Sequence, residues 1–552
     1  MATIPLARKG SPNARAGSGV EALGPVVVGP NRHTGAVRVV LVPGSTTSTG
    51  AVTATVVRTD PDGTAVGDRV EYPDLVAAVQ AIESAEHPRW VWPSTASVYP
   101  MLLRAGVHVQ RCHDISLTRA ILSMRAGQPS PPAEESDDDR LGLFDTAPVL
   151  DPDGVVAEFA EQRTVIGADA RLDLLIAAES AGALSAAEMT HTGLPFSTRK
   201  HRELLEERLG PRPTGYDLPV RMQELATQIS DAFGRTVNPA SSVEITEAFG
   251  RHGIELPSTR KWFLQEVDHP AVPLLLRHRE LAKLYSTNGW QWMDSWVRGD
   301  RFRPIYVPGG VVSGRWASRG GGALQIPKTM RSSVVADPGH VFVVADAGQL
   351  EPRILAAMSR DRRMMAAAGD DDLYALVGAE AFGGDRAKAK IAILGVLYGA
   401  TAGEAKALLT LLRKRFPVAV EYVEQVAKAG ERGEVVHSLL GRACPPPSPD
   451  FYSHGDAHAR GRFTRNFVVQ ATASEWALCL LADLRRRLAE DPDGELVFFQ
   501  HDEVVVHTRN PESGTAHVLA AAASATRLLF GDTVVRFPMD VGVRESYGKS
   551  SV

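Results

Sequence analysis

Apolar positions change their spacing along the chain, and the changes mark its organisation. Val37–Val42 and Ala51–Val57 are β-branched runs of strand type, and Trp90–Trp92 reads as a third strand. Tyr72–Ala85 and Ser97–Ala105 carry apolar residues at three- and four-residue steps, which predicts helices. Val107–Asp114 leads into a further helix ending at Met124. Residues 31–125 therefore read as a small α/β domain behind a flexible Gly-, Ala-, Pro- and Arg-rich stretch, residues 1–30. From 126 to 160 the pattern lapses into Pro, Ser and acids, which predicts a linker with too little apolar surface to fold.

Helical spacing returns from 161 to 298, clearest in Leu172–Glu188, His201–Leu209, Val220–Phe233 and Ala271–Tyr285. Arg301–Val344 predicts strands and glycine loops. Leu355–Ala429 predicts helices interrupted near Gly369 and Gly383. A long helix over Arg460–Leu488, a hairpin over Leu496–His507, a helix over Thr515–Leu529 and a strand near Val541–Val543 complete the chain.

The length of 552 residues suggests three to four domains. No uninterrupted 18-residue apolar run occurs, so no membrane span is expected, and the N-terminus lacks a signal-peptide core. Cys112, Cys444 and Cys479 are scattered, which predicts neither disulfides nor a zinc site and fits a cytoplasmic protein. The net charge of −5 argues at first against a nucleic-acid partner. Its distribution reverses that. Glu134–Glu161 holds ten acids and one base, leaving the remainder net positive. Arg301–Arg331 carries six Lys or Arg and no acid, and His458–Arg465 has Arg460, Arg462 and Arg465 with none. Such local stretches attract a phosphate backbone.

Two apolar strands each end in an aspartate. One is Val341–Asp346, followed by Ala347, Gly348, Gln349 and a helix with Pro352 in its first turn. The other is Leu496–Gln500, which turns through His501, Asp502 and Glu503 into a second apolar run. A strand-end Asp alone is commonly a turn residue or a helix cap. If the strands are neighbours, Asp346 and Asp502 share a site, and two close carboxylates call for a hard divalent cation between them. Two such ions, with substrate phosphates, support in-line nucleotidyl transfer. Between these stretches Arg386, Lys390, Leu394 and Tyr398 recur every four residues, one face of a helix suited to a nucleoside triphosphate. Arg462, Asn466 and Gln470 repeat the spacing with groups able to meet bases and sugars. Each stripe also fits a solvated helix face.

Taken in order, these segments resemble the polymerase half of DNA polymerase I, the A family. Ser313–Arg315 with Leu324–Pro327 is similar to its TGR…LQNIP segment; Asp346–Arg353 resembles motif A; Arg386–Gly399 resembles motif B. Arg462, Asn466 and Gln470 match its R-x3-N-x3-Q helix, His501–Glu503 matches motif C, and Arg279–Thr287 looks like its RxLAKLxST segment. The likeness covers about residues 185–552. It implies a short, actinobacterial-type polymerase: a right hand with an antiparallel palm sheet (about 301–360 and 456–552) and helical fingers (about 360–455) and thumb (about 185–300). A ribonuclease H-like 3′–5′ exonuclease-type domain would precede it, with no 5′-nuclease domain.

The resemblance implies roles for the matching positions. Asp346, Asp502 and the Ala347 carbonyl would bind two Mg²⁺, with Mn²⁺ able to substitute. Arg386 and Lys390 would neutralise the triphosphate, with Lys390 as proton donor. Gln349, Leu394 and Tyr398 would border the nucleotide, and Glu351 would exclude a ribose 2′-hydroxyl. Lys283, Ser286, Thr287, Arg315, Gln325, Arg462, Asn466 and Gln470 would contact primer-template DNA. His501 and Glu503 would hold the primer end and support the metal site. The implied protein is a monomeric, nucleoid-associated DNA polymerase of repair, gap filling or replication.

This chain departs from the family in three places. Leu394 replaces an aromatic, Ala347-Gly348 replaces Tyr-Ser, and the Gln-Ile-Pro segment lacks an Asn. The N-terminal strands contain no Asp-x-Glu pair, so the exonuclease-type domain is expected to be inactive. The alternatives are a polymerase with a working exonuclease, or a weakly active scaffold that binds DNA.

Overall fold

The computed structural model of the chain describes residues 38–128 and 151–548, apart from 216, 323–325, 371 and 400–403; at 404–408 and 454 it describes the backbone alone. Gln325 and the neighbouring Leu324 therefore lie outside the described residues.

The N-terminal unit is built on a five-stranded sheet. In chain order its strands are β1 (Arg38–Thr46), β2 (Val52–Thr59), β3 (Val70–Tyr72), β4 (Arg89–Trp92) and β5 (Arg111–Asp114). Their spatial order is β3-β2-β1-β4-β5, with the first three antiparallel and β1, β4 and β5 parallel. Alternation along the strands feeds both faces. Val39, Leu41, Trp90 and Trp92 pack with Leu75, Val79, Val98 and Leu102 on one side. Val40, Val42 and Val91 pack with Val155 and Phe159 on the other.

The second layer corrects one expectation. Residues 152–160, read as the end of a linker, belong to a helix, Pro152–Ile166. Asp151 caps it through the Asp153 amide, Pro152 occupies the first turn, and Val155 and Phe159 cover the sheet. One apolar side chain per turn was enough once a sheet was there to receive it. Tyr72 is likewise in a strand rather than a helix, which starts at Leu75 behind the Asp74 cap.

The helix Ala170–Thr192 joins the two halves. Its Leu184 enters the N-terminal core, while Ala178, Ala186 and Met189 enter the main core. Beside it the Arg485 guanidinium donates to Glu188 (2.7 and 2.8 Å) and to the carbonyls of Val109 (2.5 Å) and Gln110 (2.9 Å). Tyr99 donates to the same glutamate at 2.5 Å.

The main core surrounds a second, four-stranded antiparallel sheet. Its spatial order is Gly494–Gln500, Glu503–Thr508, Val341–Ala347, Met539–Arg544. The helices Ala457–Leu488 and Pro511–Phe530 pack against it. By length and composition Ala457–Leu488 is apolar enough to cross a membrane, although no such segment was expected. Yet 83% of its apolar window is buried inside the protein, which makes it a core helix. A separate helical lobe, centred on Ile229, Phe249 and Leu275, includes the helix Ala271–Asn288. Helices from Leu350 to Glu431 form the remaining lobe.

Candidate active site

The strand Val341–Ala347 lies between its two neighbours, so its last polar residue meets acids on both sides. Asp346 is opposite Glu503 on one strand and Asp540 on the other. The hairpin turn between Gln500 and Glu503 presents Asp502, and His501 adopts a left-handed conformation there, φ 59°. The Ala347 amide donates to the Asp502 carbonyl at 3.1 Å, which ties the turn to the strand. Asp346 and Asp502 thus line one cleft with Arg315, Ala347, Gln349, Glu351, Tyr374, Ser474 and His501.

Charge in the cleft is unbalanced. Loss of surrounding water, then Asp502, Glu503 and Asp540, pushes the Asp346 carboxyl up to about 7, although its side chain remains open to solvent. Burial, aided by Glu351 and Glu503 and opposed by Arg315, raises Asp502 to about 6. Burial and Arg315 lower His501 below its ordinary value. Glu503 accepts a short hydrogen bond from Tyr547.

A divalent cation fits this donor set. Two crowded carboxylates would each gain by being charged beside it, and Ala347 sits between them in the cleft lining. Among the described residues no three His, Cys, Asp or Glu side chains form a metal cage. A cation bound here would take only part of its coordination shell from the protein, as Mg²⁺ sites completed by water and substrate phosphates do.

The helix Leu350–Ser359 leaves the cleft floor from Gln349, itself left-handed at φ 57°. Buried Arg353 holds that start by donating to the carbonyls of Gly348, Ala368, Asp370 and Arg536 at 2.8–3.0 Å. Glu351, one residue into the helix, accepts from Arg315 at 2.5 Å and from Tyr398 at 2.8 Å. Loss of water and the Glu351 carboxylate push the Tyr398 phenol up to about 12. Motif-like segments far apart in sequence are thereby joined at one acid.

Tyr398 ends the helix Arg386–Tyr398, which starts at an Asp385 cap. Leu394 is half-buried and packs on the main core, whereas Lys390 is exposed and has no ion-pair partner among the described residues. Arg386 does not stand free: its Nε donates to Asp372 at 2.7 Å. On the helix Ala457–Leu488, Arg462 is exposed and packs beside Gly399, while Asn466 and Gln470 are half-buried. Gln470 lies close enough to Tyr398 to favour its phenolate, and the Asn466 Oδ1 is buried with no hydrogen-bond partner among the described residues.

Asp346, Ala347, Gln349, Glu351, Arg315, His501 and Asp502 are gathered in the cleft, with Tyr398 bonded to Glu351 at its edge and Gln470 near Tyr398. Lys390, Leu394, Arg386, Arg462 and Asn466 are not among its lining residues. Lys283, Ser286 and Thr287 lie apart, exposed on Ala271–Asn288, where both hydroxyls donate to the Lys283 carbonyl (3.3 and 2.7 Å). Sequence reasoning missed Asp540, Tyr547, Tyr374 and Asp372. Only Asp540 carried a local signal, as the acid opening the run Val541–Val543.

Comparison with known proteins agrees with this geometry. The model of the family described as DNA polymerase family A matches residues 214–549. DNA polymerase I of Chloroflexus aurantiacus is 26% identical over 388 residues, 62% of this chain and 40% of the relative. The thermostable DNA polymerase I of Thermus aquaticus is 26% identical over 306 residues, 50% of this chain and 36% of that protein. The chain thus spans well under half the length of these curated relatives. Among solved structures, the POL domain of Pol1 from M. smegmatis, in complex with DNA primer-template and dNTP, superposes with a TM-score of 0.70. That match is 20% identical and covers 94% of this chain and 96% of that one, a likeness of fold. With the family model spanning more than half its length and the paired acidic strands at its centre, the chain belongs to DNA polymerase family A.

Proposed function

We propose that the chain is a template-directed DNA polymerase that adds deoxynucleotides to a primer 3′-hydroxyl. The observation that carries the reading is the antiparallel pairing of Val341–Ala347 with Glu503–Thr508, which brings Asp346 and Asp502 into one cleft beside Glu351. Bound there, two Mg²⁺ would supply Lewis-acid activation of the hydroxyl and charge neutralisation of the leaving pyrophosphate. The carboxylates of Asp346 and Asp502 hold that charge in place, and Glu503, fixed by Tyr547, adds negative potential behind them. Glu351, clamped by Arg315 and Tyr398, stands as a rigid acid where a ribose 2′-hydroxyl would go. Each of its carboxylate oxygens already accepts one hydrogen bond that holds it in place, so an extra hydroxyl meets the bulk of a fixed group.

Lys390, exposed and without an ion-pair partner among the described residues, is the cation for the triphosphate and the proton donor to pyrophosphate. Asn466 offers its unpartnered oxygen, and Gln470 its amide, to the duplex minor groove with Arg315 and Gln325. Arg462 and the exposed Lys283, Ser286 and Thr287 suit the phosphate backbone. In this reading the four-stranded sheet with the helix Leu350–Ser359 belongs to the palm, the lobe around Ile229 is the thumb, and the helices from Arg362 to Glu431 belong to the fingers. Repair or gap filling as a monomer at the nucleoid is the role this implies.

The N-terminal unit is proposed to be a ribonuclease H-like exonuclease-type domain without nuclease activity. Its strand β1 has no acid. The buried Asp114 is committed to backbone: it accepts from the Thr95 amide at 2.6 Å and the Leu117 amide at 2.9 Å.

Primer extension on a primed template with Mg²⁺ tests both statements. Extension by the wild type, lost in Asp346→Ala and Asp502→Ala, is the expected result. Salt-sensitive DNA binding without extension would leave only a scaffold, and primer shortening without nucleotides would restore the exonuclease.

A further inference from the structure

Asp372 is an acid at the site that the polymerase reading leaves without a task. It opens the helix Leu373–Ala381 and caps it, one carboxylate oxygen accepting from the Ala375 amide at 3.0 Å. The same oxygen accepts from the Gln349 side-chain amide at 2.8 Å. The other accepts from Arg386 Nε at 2.7 Å, and the Arg386 guanidinium lies 5.7 Å from the Tyr374 ring. One carboxylate thus ties Gln349, three residues after Asp346, to the first residue of the helix Arg386–Tyr398.

We propose that Asp372 is a positioning residue that holds Arg386 in a resting state and competes with the nucleoside triphosphate for it. The proposal rests on the polymerase reading, and on Arg386 being a triphosphate cation within it. A phosphate approaching Arg386 must displace one carboxylate, exchanging one charge-assisted hydrogen bond for another. Because both partners are partly exposed (54% and 38%), the resting bond is weak enough to be exchanged on each cycle. Lys390, one turn on, carries no such tether among the described residues. The two cations therefore differ in kind: Lys390 is available at once, and Arg386 only after a ligand with enough negative charge has arrived. Diphosphates and monophosphates, with less charge, release it less completely. Gln349 gives the release a second consequence, since its amide loses its charged partner beside the cleft floor.

The test uses Asp372→Asn, which keeps a capping oxygen for Ala375 and removes the charge. The apparent Kd for a correct dNTP is measured on the full chain bound to primer-template ending in a dideoxynucleotide, beside Arg386→Ala and the double variant. Asp372→Asn is expected to tighten dNTP binding by roughly two- to fivefold, the range of an exposed ion pair. It should relatively favour dNDP over the wild type, and the gain should shrink at high salt. In the Arg386→Ala background the substitution should change nothing. Unchanged or weaker binding in Asp372→Asn, or the same gain without Arg386, would overturn the proposal. Failure of the wild type to extend primers while these shifts appear would sink the polymerase reading and leave the exchange standing.

Discussion

The two sheets of this protein each place an aspartate at the end of a strand that leads into a helix, and they use it in opposite ways. Asp114 ends β5 at 1% exposure and gives its oxygens to the Thr95 and Leu117 amides. Asp346, next to last in Val341–Ala347, is open to the cleft, faces Glu503 and Asp540 across the ladder, and makes no ion pair among the described residues. The same local signal is a cap in one sheet and an unneutralised charge in the other. Neighbouring strands decide which: backbone donors consume a carboxylate, whereas other carboxylates leave it needing a cation.

Substitution at the two aspartates breaks this comparison most sharply. Asp346→Ala or Asp502→Ala should cut single-turnover primer extension by about a thousandfold or more, because the lost groups hold the charge on which transfer depends. Thermal melting should show either variant folded. Asp114→Ala should leave extension intact and lower the unfolding free energy by about 1–3 kcal/mol, as two buried amides lose their acceptor. Denaturant titration reads that loss, and reduced extension in the well-folded Asp114 variant would mean that the first sheet has a catalytic share.

Next in size is the effect at Glu351, the proposed sugar gate. Glu351→Ala should raise ribonucleotide incorporation relative to deoxynucleotide by about tenfold or more, since the clamped carboxylate no longer fills its position. Competition between rNTP and dNTP at one template position measures it, and an unchanged ratio would remove Glu351 from sugar selection.

The pH response distinguishes the sheets again. In the metal-free protein Asp346 and Asp502 have raised values, about 7 and about 6. Their charged forms are disfavoured in the fold, so their destabilising contribution is fully present above pH 7. It fades as pH falls through 7 and 6 and is gone below the unfolded value near 4. Mg²⁺ requires the charged forms, so its stabilising effect on Tm should be largest near pH 8 and shrink toward pH 6. Asp346→Asn should flatten both trends, and a Tm gain from Mg²⁺ as large at pH 5.5 as at pH 8 would place the ion elsewhere.

The smallest expected change is at Leu394. Leu394→Phe should lower the KM for dNTP by about two- to fivefold through added aromatic contact with the sugar. Dideoxynucleotide discrimination should shift with it, and equal use of both sugars by the wild type would contradict a role for Leu394.

Much of this arrangement was legible in the sequence, for physical reasons. Strands ending at Asp346 and turning at Asp502 announced themselves because β-branched runs stop where an acid must reach water. The four-residue stripes of Arg386–Tyr398 and Arg462–Gln470 followed from helix periodicity. What the chain hid was pairwise. Asp540 opposite Asp346, Asp372 on Arg386 and Tyr547 on Glu503 are fixed by sheet register or lobe packing, which no local window contains. The helix Pro152–Ile166 was hidden differently: its polarity is right for a helix covered on one side only, and the covering sheet lies a hundred residues earlier.

The buried Arg485 has a consequence for how this protein comes apart. Its guanidinium belongs to the core helix of the second sheet, yet every partner that satisfies it lies on Glu188 or in the first sheet's unit. Stripping away that unit would leave Arg485 its Glu188 partner but remove the Val109 and Gln110 carbonyls, at a cost of roughly 1–3 kcal/mol. The two halves are therefore bound into one melting unit, and calorimetry should record a single cooperative transition. The first sheet's unit thus serves the main core as a counter-surface, and truncation at residue 150 removes part of a shared interior rather than an appendage.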